Sequence, residues 1–326
     1  MGSGRQQSSG RQAERIDTTH TLEENDGRPS RRRFLRAIPV AAAGLGTSGL
    51  GSASDTSDLD RKGEFLPGIT KWGDHVRLGN GRARSFTTGT RSGGPTHHGL
   101  YIERAVLDGL PSAGDLEAAG ESRYSDKYGP TGRALPIHHR WSQEFFLPLP
   151  ASTATPFTFL GVNWNPAGHP PVWSAPHLDI HFHMLPAATV DAITGPTAPS
   201  YELPAEYLPG GFVRSPVVDE RVITDMGEHL VDPTVPEMNG GTFTNTLIWG
   251  ASDPDGDGTA ELTFVEPMLT REYLRAHSGT ESRPIAQPTT YARAGTYPTR
   301  YSVRDVPGAD AIAITIDSFE SFEGDA

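Results

Sequence analysis

Between Pro176 and Met184 the chain reads PHLDIHFHM, in which His177, Asp179, His181 and His183 alternate with Leu178, Ile180, Phe182 and Met184. A β-strand has a two-residue side-chain period, so the alternation gives one apolar face and one face of three imidazoles and a carboxylate. The polar face of an ordinary half-buried strand carries Thr, Ser, Lys or Glu. Three histidines so close together suit a bound metal, or a group of side chains that titrate together. Side chains two apart on one strand face stand about 6 to 7 Å apart. His181 and His183 can therefore share an ion, as can His177 and Asp179, whereas all four cannot.

Further ligands must come from other segments. The best candidates are His229, in Met226-Gly227-Glu228-His229, and Glu266, which ends the apolar run LTFVE where the chain is expected to turn into a helix; Glu237 and His169 rank behind them. The expected site has His177, His181 and His229 as nitrogen donors and Glu266 as an oxygen donor. Asp179 orients a ligating imidazole, and His183 is a further donor within reach. Nitrogen and carboxylate donors without thiolate suit zinc, manganese, iron(II) or nickel, and the His-x-His pair with a distant His and Glu resembles a cupin-type site without the cupin spacing. An ion with an open position would acidify bound water or hold an anionic small molecule, the chemistry of a metal-dependent hydrolase or lyase. The alternative of another class is a metal-free envelope binding or assembly protein, whose His/Asp cluster hydrogen-bonds strands or subunits together.

Other motifs carry less. Asp253-x-Asp255-x-Asp257-Gly258 matches the first half of an EF-hand calcium loop, but its twelfth position, where a bidentate Glu belongs, is Phe264. It reads as a solvated hairpin turn. His97-His98 and His138-His139 are adjacent pairs whose members a strand points to opposite faces, and they are expected in loops or on the surface. Trp164, Trp173, Phe182 and Trp249 read as core. The chain has no Gly-x-Ser-x-Gly elbow, Walker loop, dinucleotide fingerprint or HExxH motif. It has no cysteine, which excludes disulfides, thiolate zinc sites and cysteine nucleophiles.

The elements that must position these residues are short strands punctuated by 37 glycines and 28 prolines in 326 residues. The fold class expected is mainly β, an antiparallel barrel or sandwich with a few short helices. Strands are expected over 82–90, 98–103, 137–147, 156–162, 243–250, 261–266, 297–303 and 311–317, with short helical segments at 105–110 and 188–193. The one extended helix is expected over 268–277, opened by Pro267. Residues 112–134 read as a polar surface excursion.

Ahead of this β-rich domain, expected to span 64–326 as one unit, residues 1–29 lack the apolar side chains needed to fold. Ser30-Arg31-Arg32-Arg33-Phe34-Leu35-Arg36 fits the twin-arginine export pattern. A weakly apolar Ala/Gly run follows it to Leu50, and the segment 30–53 ends in small residues. Residues 54–63 read as a polar linker. The apolar run is too short and Gly-rich for a membrane span, so the expected location is outside the cell or on its surface. From residue 64 onward, acidic residues outnumber basic ones by 32 to 18, a net charge of −14, and lysine occurs only at 62, 71 and 127 in the whole chain. That balance resembles halophilic proteins and excludes nucleic acid and anionic lipid as partners, since both need clustered Lys and Arg.

Gly168-His169-Pro170-Pro171, Pro176-His177-Leu178-Asp179-Ile180-His181-Phe182, Met226-Gly227-Glu228-His229, Pro236-Glu237 and Phe264-Val265-Glu266-Pro267-Met268 together resemble, in this order, a family of exported bacterial and archaeal proteins typified by a small Thermus protein. The resemblance spans roughly residues 78–305, including Gly109-Leu110-Pro111. It implies a β-rich fold and self-assembly into a homo-oligomer, with no assigned activity. The family's strand reads close to PHFDFHFY. His183 stands where that pattern has Tyr, which makes it the least secure ligand on the strand and leaves His177, Asp179 and His181 the most secure.

Overall fold

A computed structural model of the chain describes residues 66–151, 154–306 and 308–325. The 1–29 leader, the twin-arginine segment 30–53 and the linker 54–63 lie outside the described residues.

The chain begins one sheet, builds the whole of a second, and returns to finish the first. Strands β1 (Ile69–Leu78), β2 (Gly81–Gly89) and β3 (Pro95–Glu103) form an antiparallel meander. Helix α1 (Ala113–Arg123) then occupies the stretch expected to be a surface excursion. Its signal is a capping box, in which the Ser112 side chain accepts from the Asp115 N–H while the Asp115 side chain accepts from the Ser112 N–H. The second sheet follows as β4 (Ser125–Asp126), β5 (Gly132–Ile137), β6 (Arg140–Pro148), β7 (Phe159–Asn165) and β8 (His177–His183), the short helix α2 (Ala187–Val190), and then β9 (Val213–Arg214), β10 (Val222–Ile223), β11 (Gly227–Val231), β12 (Asn245–Ser252) and β13 (Glu261–Thr270). Helix α3 (Arg271–Ala276) leads to β14 (Thr280–Pro284), β15 (Gly295–Asp305) and β16 (Ala311–Phe322).

The first sheet has the order β1-β2-β3-β16-β15-β14, and the second β10-β11-β12-β13-β8-β7-β6-β5-β4 with β9 on β11; every pairing between these strands is antiparallel. Neither order closes on itself, so the architecture is a sandwich rather than a barrel. Leu100, Ile102, Val303, Ile312 and Ile314 from the first sheet share one buried core with Phe145, Leu160, Val162, Leu178, Ile180, Phe182, Trp249 and Val265 from the second. Leu178, Ile180 and Phe182 are each 0% exposed, and full burial of such side chains contributes about 1.5–3 kcal/mol apiece. Their even-numbered face anchors β8, and the histidine face therefore points out of the sandwich, away from the first sheet.

That outer face is not left to solvent. A second apolar cluster covers it, made of Leu135, Ile137, Met226, Val231, Phe243, Ile248, Phe264 and Met268 with Trp173 and Met238 packed against them. All seven residues of β8 are consequently buried.

Three expectations change in the structure. Pro267 does not open a helix but lies inside β13, opposite Leu247 of β12. The ladder to β8 is interrupted at Glu266 and Pro267, where proline has no N–H to give. Glu266 is thus in mid-strand, and the helix starts later, where Thr270 caps it by accepting from the Tyr273 N–H. The strand expected over 137–147 is split by a turn at His138 and His139, both left-handed at φ 47° and 60°. His98 is not on the surface. It is 0% exposed, with Nδ1 2.9 Å from the Thr87 hydroxyl and Nε2 2.8 Å from that of Thr155.

Candidate metal centre

Strand register decides which polar side chains meet. His183 of β8 faces Phe264 of β13 and Asp179 faces Met268, a constant register that sets Glu266 across from His181. On the other side of β8, His181 faces Gly161 and Asp179 faces Asn163 of β7. His229 of β11 faces Gly250 of β12, which in turn faces Phe264. The Phe264 ring lies over Gly250, so closely that a Cβ added there would fall 1.9–2.2 Å from three of its ring carbons. From that position the ring touches all three neighbouring imidazoles, with centroids 5.0 Å from His181, 5.3 Å from His183 and 5.2 Å from His229.

Two groups of metal-ligating side chains result. In the first, His181, His229 and Glu266 each offer a ligand atom within 4.8 Å of the others. His181 Nε2 is 3.4 Å from Glu266 Oε1, and His229 Nε2 is 3.5 Å from Glu266 Oε2. The His181 Nδ1–H points to the Gly161 carbonyl at 3.4 Å, which leaves Nε2 with its lone pair turned toward the carboxyl. Neither His181 Nε2 nor Glu266 Oε2 makes a hydrogen bond. His181 and Glu266 are each 1% exposed, and His229 at 21% is the member that reaches water.

Burial governs the protonation of this group. It lowers the His181 imidazole to about 4, and burial followed by the neighbouring His181 and His138 rings pushes His229 well below its ordinary value. Both rings are therefore neutral at pH 7, the form that ligates a metal. Burial, reinforced by the Asp179 charge, pushes the Glu266 carboxyl well above the usual carboxylate range.

The second group is His169, His177 and Asp179. His169 reaches it from the loop between β7 and β8. Gly168, at φ +60° and with the Trp173 carbonyl 2.3 Å from where a Cβ would stand, lets the chain fold tightly enough for His169 and Trp173 to exchange backbone hydrogen bonds of 2.6 and 3.1 Å. His169 Nε2 then lies 3.2 Å from Asp179 Oδ2, and His177 Nε2 3.0 Å from Asp179 Oδ1. Asn165 donates to Asp179 Oδ2 at 2.6 Å and itself accepts from the Ser142 hydroxyl. Burial alone would raise Asp179. The charge of His177, with the hydrogen bond and charge of His169, overrides it and holds the carboxyl well below the usual range.

Of the four expected ligands, the structure brings His181, His229 and Glu266 together and places His177 elsewhere. The reason is spacing: four residues along a strand span about 13 Å, beyond the reach of one ion. Asp179 and His169 join His177 rather than serving the first group. His183 is in neither; its ring stacks on Phe159 at 4.4 Å and 11°, and both its nitrogens lack hydrogen bonds. Glu237 is buried in the 3-10 turn Pro236–Asn239, outside both groups. Gly250, Phe264, Asn165 and Ser142 were not anticipated, because their part in the site depends on register. The Asp253–Asp257 segment is the hairpin turn between β12 and β13, as expected. The Asp253 carboxylate is occupied by the N–H groups of Gly256, Asp257 and Gly258.

Fold and site together define an antiparallel β-sandwich carrying two pairs of histidines, each pair with a buried carboxylate, on the outer face of one sheet, and these groups could hold metal ions. No protein-family model, curated protein or solved structure matches the chain.

Proposed function

We propose that this protein binds a divalent first-row metal through His181, His229 and Glu266, and that it is exported by the twin-arginine route. One observation carries the metal reading: the His181–Glu266 and His229–Glu266 separations of 3.4 and 3.5 Å. They are long for hydrogen bonds. They match the distance of about 3.4 Å between two ligand atoms that share a tetrahedral ion at bond lengths near 2.1 Å. A buried polar atom without a partner costs about 1–3 kcal/mol, and a cation between these atoms offsets that cost. Zinc, manganese, iron(II) and nickel all accept this donor set.

Three protein ligands leave a further coordination position, and a metal bound there supplies Lewis acidity to whatever occupies it. The chain's own residues hold the ion, and the Phe264 ring packs against the imidazoles beside it on the same outer face. Since His229 is the member in contact with water, the position favours water or a small inorganic anion over a bulky substrate. Lyase or hydrolase chemistry on a small molecule is the activity this supports. The export half of the proposal rests on Ser30–Arg36 and the Ala/Gly run after it.

Elemental analysis of the chelator-treated full chain, reloaded with zinc and desalted, tests the site. His229→Ala and Glu266→Gln are each expected to remove one equivalent. Wild-type protein that takes up no zinc, with unchanged stability in chelator, would refute the metal reading in favour of a metal-free envelope binding or assembly protein. Export is tested by Arg31→Lys with Arg32→Lys, which should retain the precursor in the cell; continued secretion counts against it.

A further inference from the structure

We infer that His169, His177 and Asp179 form a second, separate cation site, so that β8 carries two divalent ions side by side. Its ligands are distinct from His181, His229 and Glu266, and it stands or falls independently of them.

The argument begins with the tautomer of His177. Its Nδ1 lies 2.7 Å from the Ala175 carbonyl oxygen, which can only accept, so Nδ1 carries a proton and Nε2 is the nitrogen left to face the carboxylate. That nitrogen stands 3.0 Å from Asp179 Oδ1, yet neither atom makes a hydrogen bond. The two atoms face each other without the alignment of an N–H donor, on side chains 0% and 3% exposed, and a cation between them would satisfy both. His169 Nε2 approaches the other carboxylate oxygen at 3.2 Å. Separations of 3.0 and 3.2 Å are close to the roughly 3.0 Å between neighbouring ligand atoms of a six-coordinate ion with bonds near 2.1 Å. Two imidazoles and one carboxylate are the donor set that first-row dications take in that geometry.

The surroundings are those of a built site. Asn165 fixes the carboxylate by donating to Oδ2 at 2.6 Å and is itself fixed by Ser142, and the Ala175 carbonyl fixes the ring of His177. Such supporting hydrogen bonds set ligand orientation in metal centres. Over the group sits the His138–His139 turn, with the His138 ring 4.9 Å from that of His169. Both residues are held at positive φ without being glycine, a conformation that costs of order 1 kcal/mol each and persists where surrounding structure enforces it. His138 faces solvent at this point, so an ion enters from the side of the turn. Asp179 and His181 are two residues apart on one strand face, so the two groups are neighbours on β8.

Zinc titration of the chelator-treated full chain, followed by calorimetry and elemental analysis, tests the second site. Wild type is expected to bind two equivalents. Asp179→Asn, which preserves shape, and His169→Gln, which alters only a loop residue, are each expected to lose one equivalent or weaken it at least tenfold; His229→Ala loses the other. A single wild-type equivalent that vanishes in His229→Ala overturns the second site and leaves the first. A single equivalent that vanishes in Asp179→Asn and His169→Gln but survives His229→Ala upholds the second site and removes the first. A second equivalent that survives both Asp179→Asn and His169→Gln overturns the assignment, as does a chain that binds no zinc. Circular dichroism of each variant confirms that the sandwich is intact.

Discussion

Replacing Gly250 by alanine perturbs the first metal group without touching any of its ligands. The new methyl would stand 1.9–2.2 Å from three carbons of the Phe264 ring, where ordinary contact begins near 3.4 Å. The ring must therefore withdraw by more than 1 Å. It has nowhere free to go: Phe264 is 0% exposed, and its ring centroid is already 5.0–5.3 Å from the imidazoles of His181, His183 and His229. Overpacking of this kind costs about 1–3 kcal/mol. The displaced ring also pushes His181 and His229 away from Glu266, which spoils a coordination geometry that tolerates only about 0.2 Å. Urea unfolding of metal-free protein should show a loss of about 2–3 kcal/mol, and zinc affinity at the His229 site should fall at least tenfold. The control is Phe264→Leu, which removes the ring. In the double variant the methyl meets empty space, so the combined destabilisation should fall short of the sum by about 1 kcal/mol or more, as expected of residues in contact. Strictly additive effects, or a Gly250→Ala variant with wild-type stability and zinc affinity, would refute the packing argument.

Other expectations are simpler. Burial, followed by the neighbouring His97, lowers His98 to about 3 from 6.5. Its neutral form therefore contributes stability that is present above pH 6.5 and is lost as pH falls, because the unfolded chain takes up a proton that the folded chain refuses. Between pH 7 and pH 5 wild type should lose about 2 kcal/mol more than His98→Gln, and parallel pH profiles for the two proteins would count against it. Ile180→Ala, on the apolar face of β8, should lose about 2–5 kcal/mol in urea unfolding while keeping the zinc stoichiometry, since its side chain points into the sandwich. Asp253→Ala removes the acceptor for three turn N–H groups and should cost about 1 kcal/mol. Millimolar calcium should leave the melting temperature of wild type unchanged, and a calcium-induced rise would restore the EF-hand-like reading.

Much of the fold was legible because its signals are local. The alternation of PHLDIHFHM identified β8 and its two faces, and the Asp/Gly-rich turn identified the β12–β13 hairpin. The helix α1 was missed although Ser112 and Asp115 stand at capping-box spacing, because the residues around them show no apolar stripe. Pro267 misled in the opposite direction: proline suits a first helical turn, but between Val265 and Met268 the burial of both strand faces prevailed. Within the site, residue type was legible and partnership was not. His229 and Glu266 were found as outlying donors, whereas assigning His177 to the same ion ignored the 13 Å or so of strand that separates it from His181. Only the pairing of β8 with β7 and β13, and the turn made possible by Gly168, show that Asp179 and His169 are its neighbours.

The order in which strands are laid down has a consequence for folding. Both histidine groups come from residues 169 to 266, and the whole second sheet from Ser125 to Thr270, one unbroken stretch of chain. The first sheet is different: its centre is the pairing of β3 with β16, where Gly99 meets Thr315, and closing a loop of that length costs about 5 kcal/mol of chain entropy before any contact repays it. Long-range closure of this kind is slow, and here it must wait for the last strand to be synthesised. Pulse-labelled hydrogen exchange during refolding is therefore expected to protect the amides of β8 and β13 before those of β3 and β16. On that order the histidine face would be assembled on a half-finished sandwich, with β16 as the latch that seals the core behind it.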